Sequence, residues 1–135
     1  MNEQLRYTLG KNERLKSRKA IQLLFDKGAQ ANLFPFRVIY LMGEKDALHP
    51  EAEILKAAFS VSKRYFKKAH DRNKIRRRIK ETYRLQKNQL LLPLKEQNKT
   101  LQLFFLYNTK DPMEYDALFT KMGQLIARLQ KTING

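Results

Sequence analysis

The chain has 135 residues, 42% of them apolar and 30% charged, which fits one globular domain with a single modest core and excludes an intrinsically disordered chain. Its 28 Lys and Arg outnumber 13 Asp and Glu, a net charge of +15 that points to a polyanionic partner, nucleic acid before an anionic membrane surface. With no cysteine, disulfides, thiolate catalysis and Cys-based zinc sites are excluded, and a reducing, cytoplasmic setting is expected.

No apolar run approaches the length of a transmembrane helix, and the first residues lack the apolar stretch of a signal peptide. The reading is one domain over residues 1–135, with 1–16 as a basic, irregular arm carrying Arg6, Lys11, Arg14 and Lys16. "SRKAIQLLFDKG" then predicts a short helix. Ser17 caps it, Ile21, Leu24 and Phe25 share a face, and Gly28 offers a left-handed stop. In "LFPFRVIYLM", Phe34, Phe36, Val38, Tyr40 and Met42 alternate along one face of a strand. Pro35 has no ladder donor and suits an edge or a strand start. "GEKDALHPEAE" is a loop, and "ILKAAFSVSK" is a second strand with both faces partly covered.

The next segment is basic and is treated below. "LQLFFLYN" is a third strand. "DPMEYDALFTKMGQLIARLQKTI" closes the chain's pattern as a helix, with Asp111 as N-cap, Pro112 at N1 and Glu114 completing a capping box. Tyr115, Leu118, Phe119, Met122, Leu125, Ile126 and Leu129 form its apolar stripe. The order is α-β-β-[β]-α-β-α, the bracketed strand arising if a long one splits. This is an α+β sandwich of a small central sheet and three helices.

"DRNKIRRRIKE", residues 71–81, decides between a tail and a folded element. On a helical wheel over residues 72–90, Ile75, Ile79, Thr82, Tyr83 and Gln86 fall in one sector, and Leu90 extends it. The segment is therefore a docked amphipathic helix. Asn73, Arg76, Arg77, Lys80 and Arg84 occupy the opposite arc, with Arg72 at its border. Lys74 and Arg78 flank it beside Glu81, which is placed to compensate them. A solvated face normally mixes signs, yet from Lys63 to Lys80 there are ten basic residues and one acidic, Asp71. Like-charge pairs along a helix cost about 0.2–0.5 kcal/mol each, which folding alone gives no reason to accumulate. Phosphates would relieve that repulsion by counterion release.

Phe34, Phe36, Tyr40 and Phe59 suit stacking on unpaired bases, at about 1–3 kcal/mol each, or burial in the core. The residues alone favour the core. His49 and His70 have no nucleophile or carboxylate partner in sequence and read as surface histidines. Glu44, Asp46, Glu51 and Glu53 belong to a solvated loop rather than a two-metal site. No phosphate-binding Gly-rich loop, His-Glu-x-x-His or Ser/His/Asp pattern is present, which argues against an independent enzyme.

"SVSKRYFKKAHDRNKIRRRIKETYR", residues 60–84, together with "RLKSRKAIQLLFDKG", resembles the bacterial ribonuclease P protein component. The resemblance implies an α+β fold with a left-handed βαβ crossover around the basic helix. It also implies an accessory subunit that helps a catalytic RNA, with magnesium bound mainly by that RNA, to remove the 5′ leader from precursor tRNA. The family pattern carries over to Arg72 and Asn73, to Arg76 and Arg77, and to Ser60, Ser62, Lys63 and Arg64. Lys74 stands where the family has a third motif Arg, and Lys80 where it often has Arg. The spacer "YFKKAHD" is a residue longer than the usual form and lacks its glycine, and Ile21 replaces an aromatic. The expected RNA-binding set is Lys63, Arg64, Lys67, Lys68, Arg72, Asn73, Lys74, Arg76, Arg77, Lys80 and Arg84. The expected leader cleft is Phe25, Phe36, Tyr40, Ser60 and Ser62. The expected partners are the catalytic RNA and precursor tRNA, with a monomeric protein and no membrane. Another RNA-binding module, such as a ribosomal protein of related fold, is the alternative.

Overall fold

The computed structural model describes Leu9, residues 13–48 and residues 53–135. Arg6 and Lys11 of the arm, and His49, Pro50 and Glu51 of the loop, lie outside the described residues. The elements run α1 (Arg18–Lys27), β1 (Ala29–Gln30), β2 (Phe36–Glu44), β3 (Leu55–Val61), α2 (Ala69–Gln86), α3 (Asn88–Gln97), β4 (Lys99–Tyr107) and α4 (Tyr115–Asn134). The four strands form one mixed sheet in the order β1-β2-β4-β3. β4 runs antiparallel to β2 and parallel to β3, so α2 and α3 form the crossover between two parallel neighbours.

Ser17 caps α1 as its sequence predicts, its Oγ accepting the Ala20 N–H at 3.3 Å. Gly28 does not stop the helix in the left-handed region; it is extended, at φ −72°. Its glycine is required by close approach instead. A Cβ there would lie 2.4 Å from the Leu24 carbonyl oxygen and 2.7 Å from Ile39 Cγ2. The extra strand is the two-residue β1 that follows Gly28, not half of a longer strand.

There are four helices among the described residues, one more than expected. The basic helix ends at Gln86, and Leu90 belongs to a separate α3. Pro93 inside α3 lacks an amide for the helical ladder, which hides the helix from a propensity reading. α3 stops at Asn98, which is left-handed at φ 53°. The capping box expected before α4 does not form, and the helix begins at Tyr115. The Tyr107 hydroxyl takes over the preceding segment. It donates to the Asp111 carbonyl and accepts the Met113 N–H at 3.1 Å.

The sheet's two faces differ. Phe36 and Val38 of β2, Leu55, Ala57 and Val61 of β3, and Leu101, Leu103, Phe105 and Tyr107 of β4 are buried in one cluster with the apolar sides of α2, α3 and α4. The helical wheel holds here: Ile75, Ile79, Thr82, Tyr83 and Gln86 are all buried. Among the described residues, the opposite face buries a smaller cluster of Leu15, Ile39 and Leu24 of α1. Residues 13–15 cross between these layers at the outer edge of β3. The Leu15 N–H donates to the Ala57 carbonyl at 2.9 Å. Glu13 pairs with Lys87, whose side chain is 1% exposed at the α2–α3 junction. Burial, with the Glu13 charge behind it, pushes the neighbouring Tyr83 hydroxyl well above the usual tyrosine range.

Candidate nucleic-acid interface

The basic side of α2 and the loop before it form one surface. The loop leaves β3 with the Ser62 N–H donating to the Tyr107 carbonyl at 3.2 Å, then turns back as the Phe66 N–H donates to the Ser62 carbonyl at 3.1 Å. Phe66 tucks against the Tyr107 ring, with centroids 6.1 Å apart. Lys63, Arg64, Lys67 and Lys68 remain exposed around it. The Arg64 guanidinium lies over the Tyr65 ring, 5.6 Å from its centroid.

Along α2, Asn73, Lys74 and Arg77 are exposed, and Arg76 and Lys80 are half-buried. Arg76 Nη1 donates to Asn73 Oδ1 at 2.7 Å, so the asparagine holds the arginine one turn on. Arg72 Nη1 donates to the carbonyls of Phe66 at 2.9 Å and Lys67 at 2.8 Å, so this motif residue is turned into the fold. Partial burial, then the nearby charges of Arg14 and Arg76, hold the Lys80 ammonium below the usual lysine range. Arg14 thus joins the cationic arc, although it reads as part of an irregular arm. Only its fold-back onto Ala57 reveals this.

Glu81 does not compensate Lys74 or Arg78. It binds Arg84 through two contacts, at 3.0 and 2.5 Å, an i,i+3 geometry in which the guanidinium fork meets both carboxylate oxygens. That pairing holds the Glu81 carboxyl below its usual range. Arg84 is accordingly, like Arg72, a cation of the expected set with a partner inside the protein.

Beside α1, the uncovered part of the sheet forms a groove of about 230 Å³ lined by Phe25, Gln30, Arg37, Ile39, Phe104 and Leu106. Phe25 is half-exposed and meets Phe104 edge-on at 5.0 Å. Strand alternation places Ser60, which pairs in register with Leu106, on this same face. Ser62 is half-buried at the strand end. Phe36 and Tyr40 are not in the groove. Alternation carries both to the other face, where Phe36 is 3% exposed against Phe105 and Tyr107. Phe59 stacks on Phe105 at 5.2 Å in that same core, and Phe34 lies outside β2, exposed. Arg37 and Phe104 take the places expected of Phe36 and Tyr40. Their signal is the other half of the same alternation, "FRVIY" and "LQLFFLY".

His70 is exposed. Among the described residues no three His, Asp or Glu side chains gather as a metal site. No helix among them is long and apolar enough to cross a membrane.

Fold and site define a class: a small α+β protein with a cation-lined helix in one layer and a half-open aromatic groove in the other. The chain belongs to the ribonuclease P protein family, whose family model, described as Ribonuclease P, matches residues 9–130. It is 27% identical over 123 residues to the ribonuclease P protein component of Porphyromonas gingivalis strain W83, covering 91% of this chain and 87% of that protein. It is 28% identical, with the same coverage, to that of strain ATCC 33277. Its fold is similar to the RNase P protein from Thermotoga maritima, with a TM-score of 0.64 at 21% identity over 86% of this chain and 96% of that one. The Staphylococcus aureus RNase P protein gives 0.62 at 21% identity, over 87% and 94%. The protein is a subunit of a tRNA-processing endoribonuclease.

Proposed function

We propose that the loop of residues 63–68 and the outward arc of α2 bind the catalytic RNA of ribonuclease P, while the groove beside α1 holds the 5′ leader of precursor tRNA. The observation that carries this is the sorting of charge. The cations from Lys63 to Lys80 lie around a helix whose Ile75, Ile79 and Tyr83 are fully committed to the core. A phosphate backbone removes the repulsion among them, and the groove's Phe25 and Phe104 offer ring surfaces to unpaired bases with Arg37 beside them. The protein acts as a monomer in the cytoplasm. Magnesium and the hydrolytic step reside on the RNA, and the protein contributes affinity and alignment.

The test is reconstitution with the cognate catalytic RNA at low magnesium. The protein should raise precursor-tRNA cleavage and be inactive alone. Failure to stimulate, or full activity without RNA, overturns the reading. If roughly six side chains each neutralise a phosphate, affinity should fall as about the fourth to fifth power of salt.

A further inference from the structure

Resting on the interface proposed above, we infer that Arg72 is a positioning residue whose Nη1 shapes the loop of residues 63–68, and that its share of RNA affinity runs mainly through Lys67 and Lys68. Three consecutive carbonyls converge on it. Its backbone N–H donates to the Lys68 carbonyl at 3.2 Å. Its Nη1 donates to those of Phe66 and Lys67 at 2.9 and 2.8 Å. The loop has little else to fix it there: Lys68 is the N-cap of α2, and no side chain caps that end. Phe66 anchors one side against Tyr107. Arg72 ties the rest to the first turn of the helix. With the carbonyls gathered inward, the Lys67 and Lys68 side chains stand in solvent.

A phosphate at the Arg72 Nη1 would have to displace two short hydrogen bonds to backbone. Lys67, Lys68, Arg64 and Arg77 offer it exposed cations at no such cost. The chemistry of the side chain fits the bracing role. A guanidinium presents several N–H groups in a fixed plane, whereas a lysine ammonium is a flexible point charge. The next residue acts in the same sense, since Asn73 holds Arg76. The Arg-Asn pair thus braces the cations on either side of it.

The experiment compares R72A, R72K, K67A/K68A and the triple R72A/K67A/K68A for binding to the cognate ribonuclease P RNA over a salt series. Melting temperatures and amide exchange of residues 66–69 are measured on the free proteins. R72A should speed exchange in that loop, leave melting nearly unchanged, weaken binding roughly 10–100-fold and lower the salt slope by about 1.4, two contacts' worth for one charge removed. R72K should recover less than about threefold of that loss, because charge alone does not rebuild the brace. The triple variant should bind within about threefold of K67A/K68A, because neighbours acting through one another are not additive. Additive losses, a slope change of one contact, or wild-type affinity in R72K would overturn the inference. No effect of K67A/K68A would overturn the interface reading as well.

Discussion

The two faces of one sheet show how differently a strand can be used. Toward α2, α3 and α4, the alternate residues of β2, β3 and β4 are sealed in a continuous core. Toward α1, the intervening residues of the same strands are only partly covered. A ten-residue helix buries Leu24 against Ile39 and leaves Arg37, Leu106 and much of Phe25 beside open space. Stability is concentrated on the first face and exposed binding chemistry on the second. α2 repeats the division on one element, with Ile79 inward and Arg77 outward.

Substitutions can break that comparison. The largest loss is expected from Ile79→Ala, which opens a cavity in the sealed core at about 2–5 kcal/mol, seen as a drop in denaturation midpoint. Gly28→Ala should cost about 1–3 kcal/mol, because its Cβ meets backbone at Leu24 and Tyr40 that cannot swing aside. The loss should centre on α1 docking, so amide exchange should rise in α1 before α2. If Gly28→Ala melts both faces equally, the faces are not separable.

Smaller effects sharpen the division. Phe25→Ala should weaken leader binding by about 1–3 kcal/mol, measured with precursor tRNAs of long and absent leader, while its exposed ring costs the fold little. Arg77→Ala should lower the salt slope for RNA by about one contact and shift stability by less than about 0.5 kcal/mol. Lys80→Met should divide the two readouts by sign. RNA binding weakens, while stability rises by about 0.2–0.5 kcal/mol as repulsion from Arg14 and Arg76 is relieved. The same ammonium, held below the usual lysine range, loses its proton earlier as pH rises, so its share of RNA affinity should fade first on the alkaline side.

Much of this was readable in the sequence, and the misses share a cause. Local periodicity gave the inward stripe of α2 because Ile75, Ile79 and Tyr83 recur at helical spacing. It also grouped Phe36 with Val38 and Tyr40 correctly, but alternation is symmetric and cannot say which face a helix leaves open. For Phe36 the residues alone favour the core, where it lies; its place in the expected leader cleft comes from the family resemblance, and neither singles out Arg37. Other misses depend on distant partners. Glu13 meets Lys87 across 74 positions. Asp111 does not cap α4, which begins at Tyr115, and its carbonyl instead accepts the Tyr107 hydroxyl. Arg72 reads as a phosphate ligand by type and spacing, and only the loop's return to Phe66 and Lys67 shows its Nη1 bonded to backbone.

The strand order has a consequence for how the chain comes together. β4, residues 99–107, is the last strand in sequence and yet the one on which both β2 and β3 pair. Among the described residues, β2 has the two-residue β1 and β3 the single bridge at Arg14 as earlier partners, and the long pairings of both wait for β4, roughly 40 residues after β3. Pairings between distant segments must bear the loop-closure entropy before any contact rewards it, which slows them. On the ribosome, the apolar residues of β2 and β3 thus wait together, and the sheet is completed in one late step.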